Sequence, residues 1–515
     1  MTALDWGIVG GYLLVMLALA AWTGRDQSTR HDYFLASRGL PSWALATSII
    51  ATQCSTNSLL GAPAFVGFAA AGGLLWLQYE LAVPFAMLAL CFLFGPIHRA
   101  GVISIYGYLE QRLGRSARLL ASACFLFFRA IATGVTVYGV ASIVVLLTGV
   151  SYLTAVMLLM ALTIVYDVLG GMRAVVISDV VQMVLLLLAV IVAIVWLSEP
   201  LLTTSFDLAP RLQTVVPHWG FDNDDYGFWP MLIGGFFLYT AYYGCDQSQA
   251  QRLLATGDAT RLQRVLVLNG LARFPLVLAY CILGLGLAAY AAEHPTFLET
   301  LPLNAQGTPN INLVFPSFVL AEFSAGLVGL VMVGLFAAAM SSIDSALNSL
   351  SAVTLEDFLD PDQRFSEQRL LLMSRLLTLG WGIFAVLFSF TVEHIAGTVL
   401  EAINKVGSMA NGPMLALFVL AAIAPHAKGK PAIAGFLFGL VGNGIIALTL
   451  PQLSWLWWNV TGFVMALVGA LILAPTPIWR RDDIDYVQPN VGSVLTLVLF
   501  GLSLTLGLYG WSLGQ

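Results

Sequence analysis

A chain of 515 residues in which 59% are hydrophobic and only 10% charged cannot fold as an ordinary water-soluble domain, so lipid is its main solvent. Backbone in hydrocarbon is satisfied only in helices or closed barrels, and the apolar runs here are continuous rather than alternating, so the fold class is all-α. The formal net charge of −6, with no basic surface segment, excludes a nucleic-acid partner. Cys54, Cys91, Cys124, Cys245 and Cys281 lie in apolar segments without disulfide or ligand spacing, which excludes redox and transition-metal chemistry.

In chain order, apolar windows of roughly twenty residues predict helices at 5–23, 41–66, 72–95, 117–148, 152–168, 174–197 and 229–250. The second half adds 264–290, 314–350, 370–392, 395–424, 430–449, 455–475 and 494–512, about fourteen transmembrane helices in all. Asp5 precedes the first run and Arg25 and Arg30 follow it, so it is a retained helix rather than a secretory signal. With the amino terminus outside, Arg211 is the one basic residue in an outer loop. Arg129, Arg273, Arg375 and Lys405 fall within predicted helices, and every other lysine and arginine lies in an inner loop. The expectation is a multi-pass plasma-membrane protein, of the bacterial inner-membrane kind, with both termini outward. The outer connections near 198–228 and 291–313 are too short for a catalytic domain, so function sits among the helices. His31, His98, His218, His294, His394 and His426 lie outside the apolar cores, which argues against an enzyme.

Lipid-buried helices string polar residues together where they line a cavity. The second helix carries Ala51-Thr52-Gln53-Cys54-Ser55-Thr56-Asn57-Ser58 with Gly61 and Pro63, and the seventh carries Tyr239-Thr240-Ala241-Tyr242-Tyr243-Gly244-Cys245-Asp246-Gln247. These stretches are five helices apart, the spacing of transporters built from two inverted five-helix repeats with a broken first helix in each. The expected organisation is an extra helix and inner loop at 1–40 and a first repeat at 41–198. An outer loop at 199–228, a second repeat at 229–426 and extra helices at 427–515 follow. The bland reading is that small and hydroxyl residues merely pack the helices. In the ninth helix Ser341, Asp344, Ser345 and Asn348 share one face. Adjacent hydroxyls, with carbonyls from an unwound neighbour, suit sodium, whereas a proton needs only the carboxylate. Asp344 and Asp179 are functional candidates because a lone carboxylate is costly in hydrocarbon; for Asp179 the alternative is a hydrogen-bonded residue near a helix end.

Together these stretches resemble the sodium/solute symporter family, relatives of the sodium/sugar cotransporters with a LeuT-like fold, over nearly the whole chain. The resemblance is carried by Asp32-Tyr33-Phe34-Leu35-Ala36, Gly170-Gly171-Met172-Arg173-Ala174, Asp246-Gln247 with Gln251-Arg252, and Ser341-Ser342. Asp167 departs from it, standing where the family has a small or hydroxyl residue. The resemblance implies a main sodium site from the carbonyls of Ala51, Cys54 and Ala338 and the hydroxyls of Ser341 and Ser342, with the Cys54 thiol playing no part. It implies a second ion site at Asp179 with Ser341, Asp344 and Ser345 facing it. The solute pocket would comprise Gln53, Ser55, Ser58, Gln78, Glu80, Tyr239, Tyr242, Arg273, Asn404 and Lys405. Against the sugar-transporting members, Glu80, Tyr242, Arg273 and Asn404 match an acid, a gating tyrosine, a lysine and a glutamine, while Tyr239 and Ser58 replace an asparagine and a glutamine.

Lys405 beside Asn404 resembles the anion and monocarboxylate carriers instead, although Glu401 could neutralise it at i, i+4. Arg129 is read as structural and Arg375 as packing or snorkelling. The expected function is sodium-coupled symport of a small polar solute by alternating access, sugar-like first and monocarboxylate or organic anion as the alternative, with Tyr242 as inner gate. Proton coupling and a solute sensor are further alternatives; a channel would need a repeated filter that is absent. Sodium is the coupling ion, and no other cofactor and no obligate protein partner are expected.

Overall fold

The computed structural model describes residues 1–54, 56–70, 72–222, 225–303, 307–361, 364–392, 399–424, 427–474 and 487–514, with backbone alone at 26, 56, 57, 147 and 399–406. Within them the regular secondary structure is helical, apart from one isolated bridge between Leu303 and Pro309. The helices are α1 (Ala3–Thr23), α2 (Arg30–Leu35), α3 (Ser42–Gln53), α4 (Thr56–Phe68), α5 (Trp76–Glu80), α6 (Ala82–Arg99) and α7 (Tyr106–Leu113). Next come α8 (Arg115–Thr148), α9 (Tyr152–Thr203), α10 (Ala209–Leu212), α11 (Gly235–Cys245), α12 (Gln247–Leu254), α13 (Ala259–Glu293) and α14 (Val314–Glu322). Then follow α15 (Leu327–Val353), α16 (Glu367–Val392), α17 (Val399–Ile423), α18 (Lys430–Thr449), α19 (Trp457–Leu473) and α20 (Val491–Leu513).

Among the described residues, 9 helical stretches are long and apolar enough to cross a membrane. The expected count of about fourteen is therefore not reproduced as separate long helices, for identifiable reasons. The predicted helices 152–168 and 174–197 share α9, interrupted only at Gly171 (φ 52°, ψ −160°). A Cβ there would stand 2.7 Å from the Tyr33 carbonyl oxygen, so only glycine serves. The predicted helix 314–350 is two helices, α14 and α15, and 41–66 is α3 plus α4. The window 395–424 begins outside the described residues.

Local chemistry sets the helix starts. Thr2 and Asp5 form a capping box on α1, and Asp5 Oδ1 also accepts from the backbone N–H of Gly326 (2.7 Å) and Gly329 (2.9 Å), tying α1 to the start of α15. Thr29 and Asp32 form a second capping box on α2. After α2 the chain turns through three non-glycine residues with positive φ, Ala36 (48°), Ser37 (52°) and Arg38 (56°), and the Ser37 hydroxyl donates to Asp32. Hydrogen bonds from this turn and from the cap hold the Asp32 carboxyl down at about 2, outweighing its partial burial.

α15 is central: from Ala337 to Val353 every side chain is buried. α4 and α13 meet backbone to backbone, since a Cβ on Gly67 would lie 2.6 Å from the Gly284 oxygen and one on Gly284 2.8 Å from the Pro63 oxygen. At the arginine-bearing end, Asp357 accepts from Arg118 (2.8 Å), Ser122 (2.6 Å) and Ser104 (2.8 Å), and Arg30 pairs with Glu356 at 3.2 Å. These contacts join the ends of α2, α8 and α15.

Candidate functional site

The run of polar residues in the second predicted helix is a true break: α3 ends at Gln53 and Cys54 leaves helical geometry (φ −80°, ψ 57°) before α4 begins. Carbonyls released there meet the hydroxyls of α15. Ser341 Oγ donates to the Ala51 and Ala338 carbonyls, both at 3.1 Å, and Ser342 Oγ to Thr52 (2.9 Å) and Ala338 (3.4 Å). Three carbonyl and two hydroxyl oxygens thus converge, and a hydroxyl that donates to a carbonyl keeps lone pairs for a cation. Of the expected ligands Ala51, Cys54, Ala338, Ser341 and Ser342, these hydrogen bonds bring together all but the Cys54 carbonyl, and Thr52, missed in the sequence reading, joins them. The Cys54 thiol is not idle, because Arg273 Nη1 lies 2.8 Å from its sulfur.

The expected second ion site is arranged differently. Arg252, read from the sequence as an inner-loop cation, is fully buried. Its Nη2 sits 3.1 Å from Asp179 Oδ2, and its guanidinium also donates to the hydroxyls of Ser345 and Ser48. Asp179 and Ser345 are therefore bridged by a guanidinium. Asp344 turns to α9, where the Tyr166 hydroxyl donates to its Oδ2 at 2.9 Å, while its Oδ1 lies 3.2 Å from Ser345 Oγ. Ser345 also touches Thr52 (3.0 Å), which links this acidic cluster to the break in α3. The signal for Arg252 was present: a carboxylate in an apolar helix demands a buried partner.

Beside the broken helix lies a cavity of about 590 Å³. Of the expected solute residues, Gln53, Ser58, Tyr239, Tyr242 and Arg273 line it, together with Thr52 and Ser342 from the hydroxyl cluster. Gln78 does not: its amide nitrogen donates to the Tyr226 carbonyl (3.1 Å) and its oxygen accepts from Val216 N–H (3.0 Å), pinning the 213–229 connection. Glu80 sits behind the wall, held by Arg273 at 2.9 and 3.3 Å and by the Tyr239 hydroxyl at 3.1 Å. Ser55 and the side chains of Asn404 and Lys405 fall outside the described residues.

Arg129, read as structural, also lines the cavity. Its Nη1 is 3.6 Å from Asp246 Oδ2, and its Nε has no hydrogen-bond partner. Asp246 also caps α12 through Ser248 N–H (2.8 Å), and Gln249 Nε2 donates to the Tyr242 hydroxyl (2.8 Å). The cavity thus carries a hydroxyl and carbonyl cluster on one wall and a guanidinium on another. Among the described residues no group of His, Cys, Asp and Glu could hold a transition metal.

Comparison with known proteins gives the family and the fold. The model of the sodium:solute symporter family matches residues 33–439. The sodium-dependent multivitamin transporter of Oryctolagus cuniculus is 29% identical over 96% of this chain and 81% of its own length. The sodium-coupled monocarboxylate transporter 1 of Mus musculus is 28% identical over 87% of this chain and 74% of its own. The solved substrate-bound, outward-open structure of a Na+-coupled sialic acid symporter superposes with TM-score 0.81 at 23% identity, covering 92% of this chain and 99% of that one. The fold is LeuT-like.

Proposed function

The chain belongs to the sodium:solute symporter family, and from that premise we propose that it imports a small carboxylate-bearing organic solute together with sodium. The observation that supports this reading is Arg129. Its guanidinium faces the cavity with an unpartnered Nε and a looser 3.6 Å pairing with Asp246, whereas Arg273 is gripped by Glu80 at 2.9 Å. A carboxylate offered to Arg129 gains charge-assisted hydrogen bonds that a neutral solute cannot make. The monocarboxylate alternative thereby moves ahead of the sugar-like one. A sugar-like solute remains the second reading, favoured by Gln53, whose Oε1 is unpartnered, and by Ser58 and Tyr239 in the same wall.

In this mechanism sodium occupies the cluster of Ala51, Cys54, Ala338, Ser341 and Ser342, to which Thr52 adds its carbonyl. Bound sodium ties the break in α3 to α15 and so favours the conformation in which the solute wall is complete. Because each ligand acts through its differential affinity for the two states, sodium and solute strengthen one another's binding. Asp179, Ser341, Asp344 and Ser345 form a second ion site only in a state where Arg252 withdraws. Tyr242 moves with α11 and α12 as the inner gate. The repeats are 41–198 and 229–426, about fourteen helices cross the membrane, and both termini face outward.

The test is thermal stability and uptake of the purified chain against carboxylates, sugars, polyols and amino acids, each in sodium and in potassium. Stabilisation and uptake by carboxylates that require sodium are expected. A response to sugars alone would reverse the order of the two readings, and one indifferent to sodium would overturn the coupling. Arg129→Gln is expected to raise KM for the carboxylate by about 10- to 150-fold, the worth of a buried hydrogen bond to a charged group, with the sodium requirement unchanged.

A further inference from the structure

Another cavity, of about 770 Å³, lies away from the solute site, where α3, α13 and α20 begin. Ser42 and Trp43 from the first turn of α3, Arg261 and Arg264 from the first two turns of α13, and Ser493 and Thr496 from the first two turns of α20 line it. The backbone N–H of Asn490, the cap of α20, donates to Gln263 Oε1 at 2.8 Å and holds the start of α20 beside α13. Deeper along, the two helices press together, since a Cβ on Gly270 would stand 2.6 Å from Leu497 Cδ2. The cavity lies on the helix-start side of that contact.

Its chemistry has two ends. Arg261 and Arg264, three residues apart on one face of α13, are both exposed. Arg264 has no ion pair and no side-chain hydrogen bond among the described residues. Arg261 Nε is 3.5 Å from Asp258 Oδ2, but with side-chain exposures of 48% and 58% such a pair is worth little. Two guanidiniums against one carboxylate leave a single positive charge, the complement of a phosphodiester. One turn beyond Arg264, α13 presents Leu268 to the cavity, and Trp43, 58% exposed, is the residue type that marks the boundary between headgroups and hydrocarbon. A charged end and an apolar end in one cleft between membrane helices fit an amphiphile rather than a free ion.

We propose that this cleft binds an anionic phospholipid. Its phosphodiester takes charge-assisted hydrogen bonds from Arg261 and Arg264, and its acyl chains run past Trp43 and Leu268. Basic pockets between transmembrane helices are where such headgroups lodge. The bound lipid joins the base of α3, the arm that carries Ala51 and Thr52, to α13 and α20. The site is independent of the solute reading, because it shares no residue with the solute cavity.

The experiment is the Tm of the purified full chain in nonionic detergent, titrated with phosphatidylglycerol or with phosphatidylcholine of the same acyl chains. Phosphatidylglycerol is expected to raise the Tm at concentrations where phosphatidylcholine does not. Arg261→Gln combined with Arg264→Gln is expected to need about 30-fold more phosphatidylglycerol for the same rise, about fivefold for each charge taken from the headgroup. Arg115→Gln, which removes an exposed charge at the start of α8 and outside the cavity, should leave the titration unchanged. Equal responses to the two lipids overturn the proposal, as does a double variant that answers phosphatidylglycerol like the wild type. A rise given equally by glycerol phosphate in solution assigns the arginines to a soluble phosphate and overturns the lipid. Loss of the response in Arg115→Gln makes it an effect of bulk surface charge and overturns the site. Phosphatidylglycerol brominated on its acyl chains locates the lipid independently: it should quench less tryptophan fluorescence in Trp43→Phe than in the wild type, and undiminished quenching places the lipid elsewhere.

Discussion

Ser341→Ala is expected to raise the sodium concentration that half-saturates uptake by about 5- to 150-fold, the equivalent of roughly 1–3 kcal/mol for leaving buried polar groups unsatisfied. The Ser341 hydroxyl is the donor that joins the Ala51 carbonyl on α3 to the Ala338 carbonyl on α15. Without it a cation loses one ligand, and the two helices lose one of their cross-links, those from Ser342 and Ser345 to Thr52 remaining. Ser342→Ala should have a smaller effect, because its hydroxyl faces the cavity and water can replace it in part. The double variant is expected to take up solute without sodium stimulation. Ser351→Ala is the control: that hydroxyl is on the same helix but bonds Leu347 and Thr378, away from the break. Initial uptake rates across a sodium series, with potassium holding the ionic strength, check all four. A Ser341→Ala protein with the wild-type sodium dependence would remove the cluster from the coupling mechanism.

Arg273→Ala and Glu80→Ala are each expected to destabilise the fold by about 3–5 kcal/mol, because each leaves one charge of a buried pair uncompensated. The Arg273 guanidinium is gripped by both carboxylate oxygens of Glu80 and lies against the Cys54 sulfur, so its loss strands a carboxylate between α5 and α13. Arg273→Met combined with Glu80→Gln removes both charges, and the pair should recover much of the Tm lost by either single change. Thermal unfolding in detergent, with and without sodium, measures this. The contrast with Arg129 is the informative part: Arg273 is predicted to act on stability and Arg129 on KM. A Glu80→Ala protein of normal Tm that binds solute weakly would return Glu80 to the solute site, where its resemblance to a sugar ligand had put it.

What the sequence revealed depended on range. The break after Gln53 and the Ser341-Ser342 pair are properties of short windows, a polar run in an apolar helix and two hydroxyls in succession, and both stand where they were expected. That Asp179 needs a buried partner was legible, but which residue supplies it was not, because Arg252 is 73 residues away and looks like any basic residue after a span. Gln78 failed for a related reason: a polar residue in a predicted helix has no direction until its neighbours are known, and here they are Val216 and Tyr226 rather than a solute. The direction of Arg129 was undetermined for the same cause. Gly171 was noticed as part of a motif, but its positive φ follows from the Tyr33 carbonyl packed against it.

The left-handed turn at Ala36, Ser37 and Arg38 bears on how the broken arm is driven. Left-handed backbone costs an L-residue roughly 1–2 kcal/mol, so three in succession store torsional energy a few residues ahead of Ser42, where α3 begins. Asp32, through the Ser37 hydroxyl and the α2 cap, is the latch that keeps this segment wound. Asp32→Ala, which cuts the latch, is therefore expected to let this turn relax and to loosen the base of the arm that carries Ala51 and Thr52.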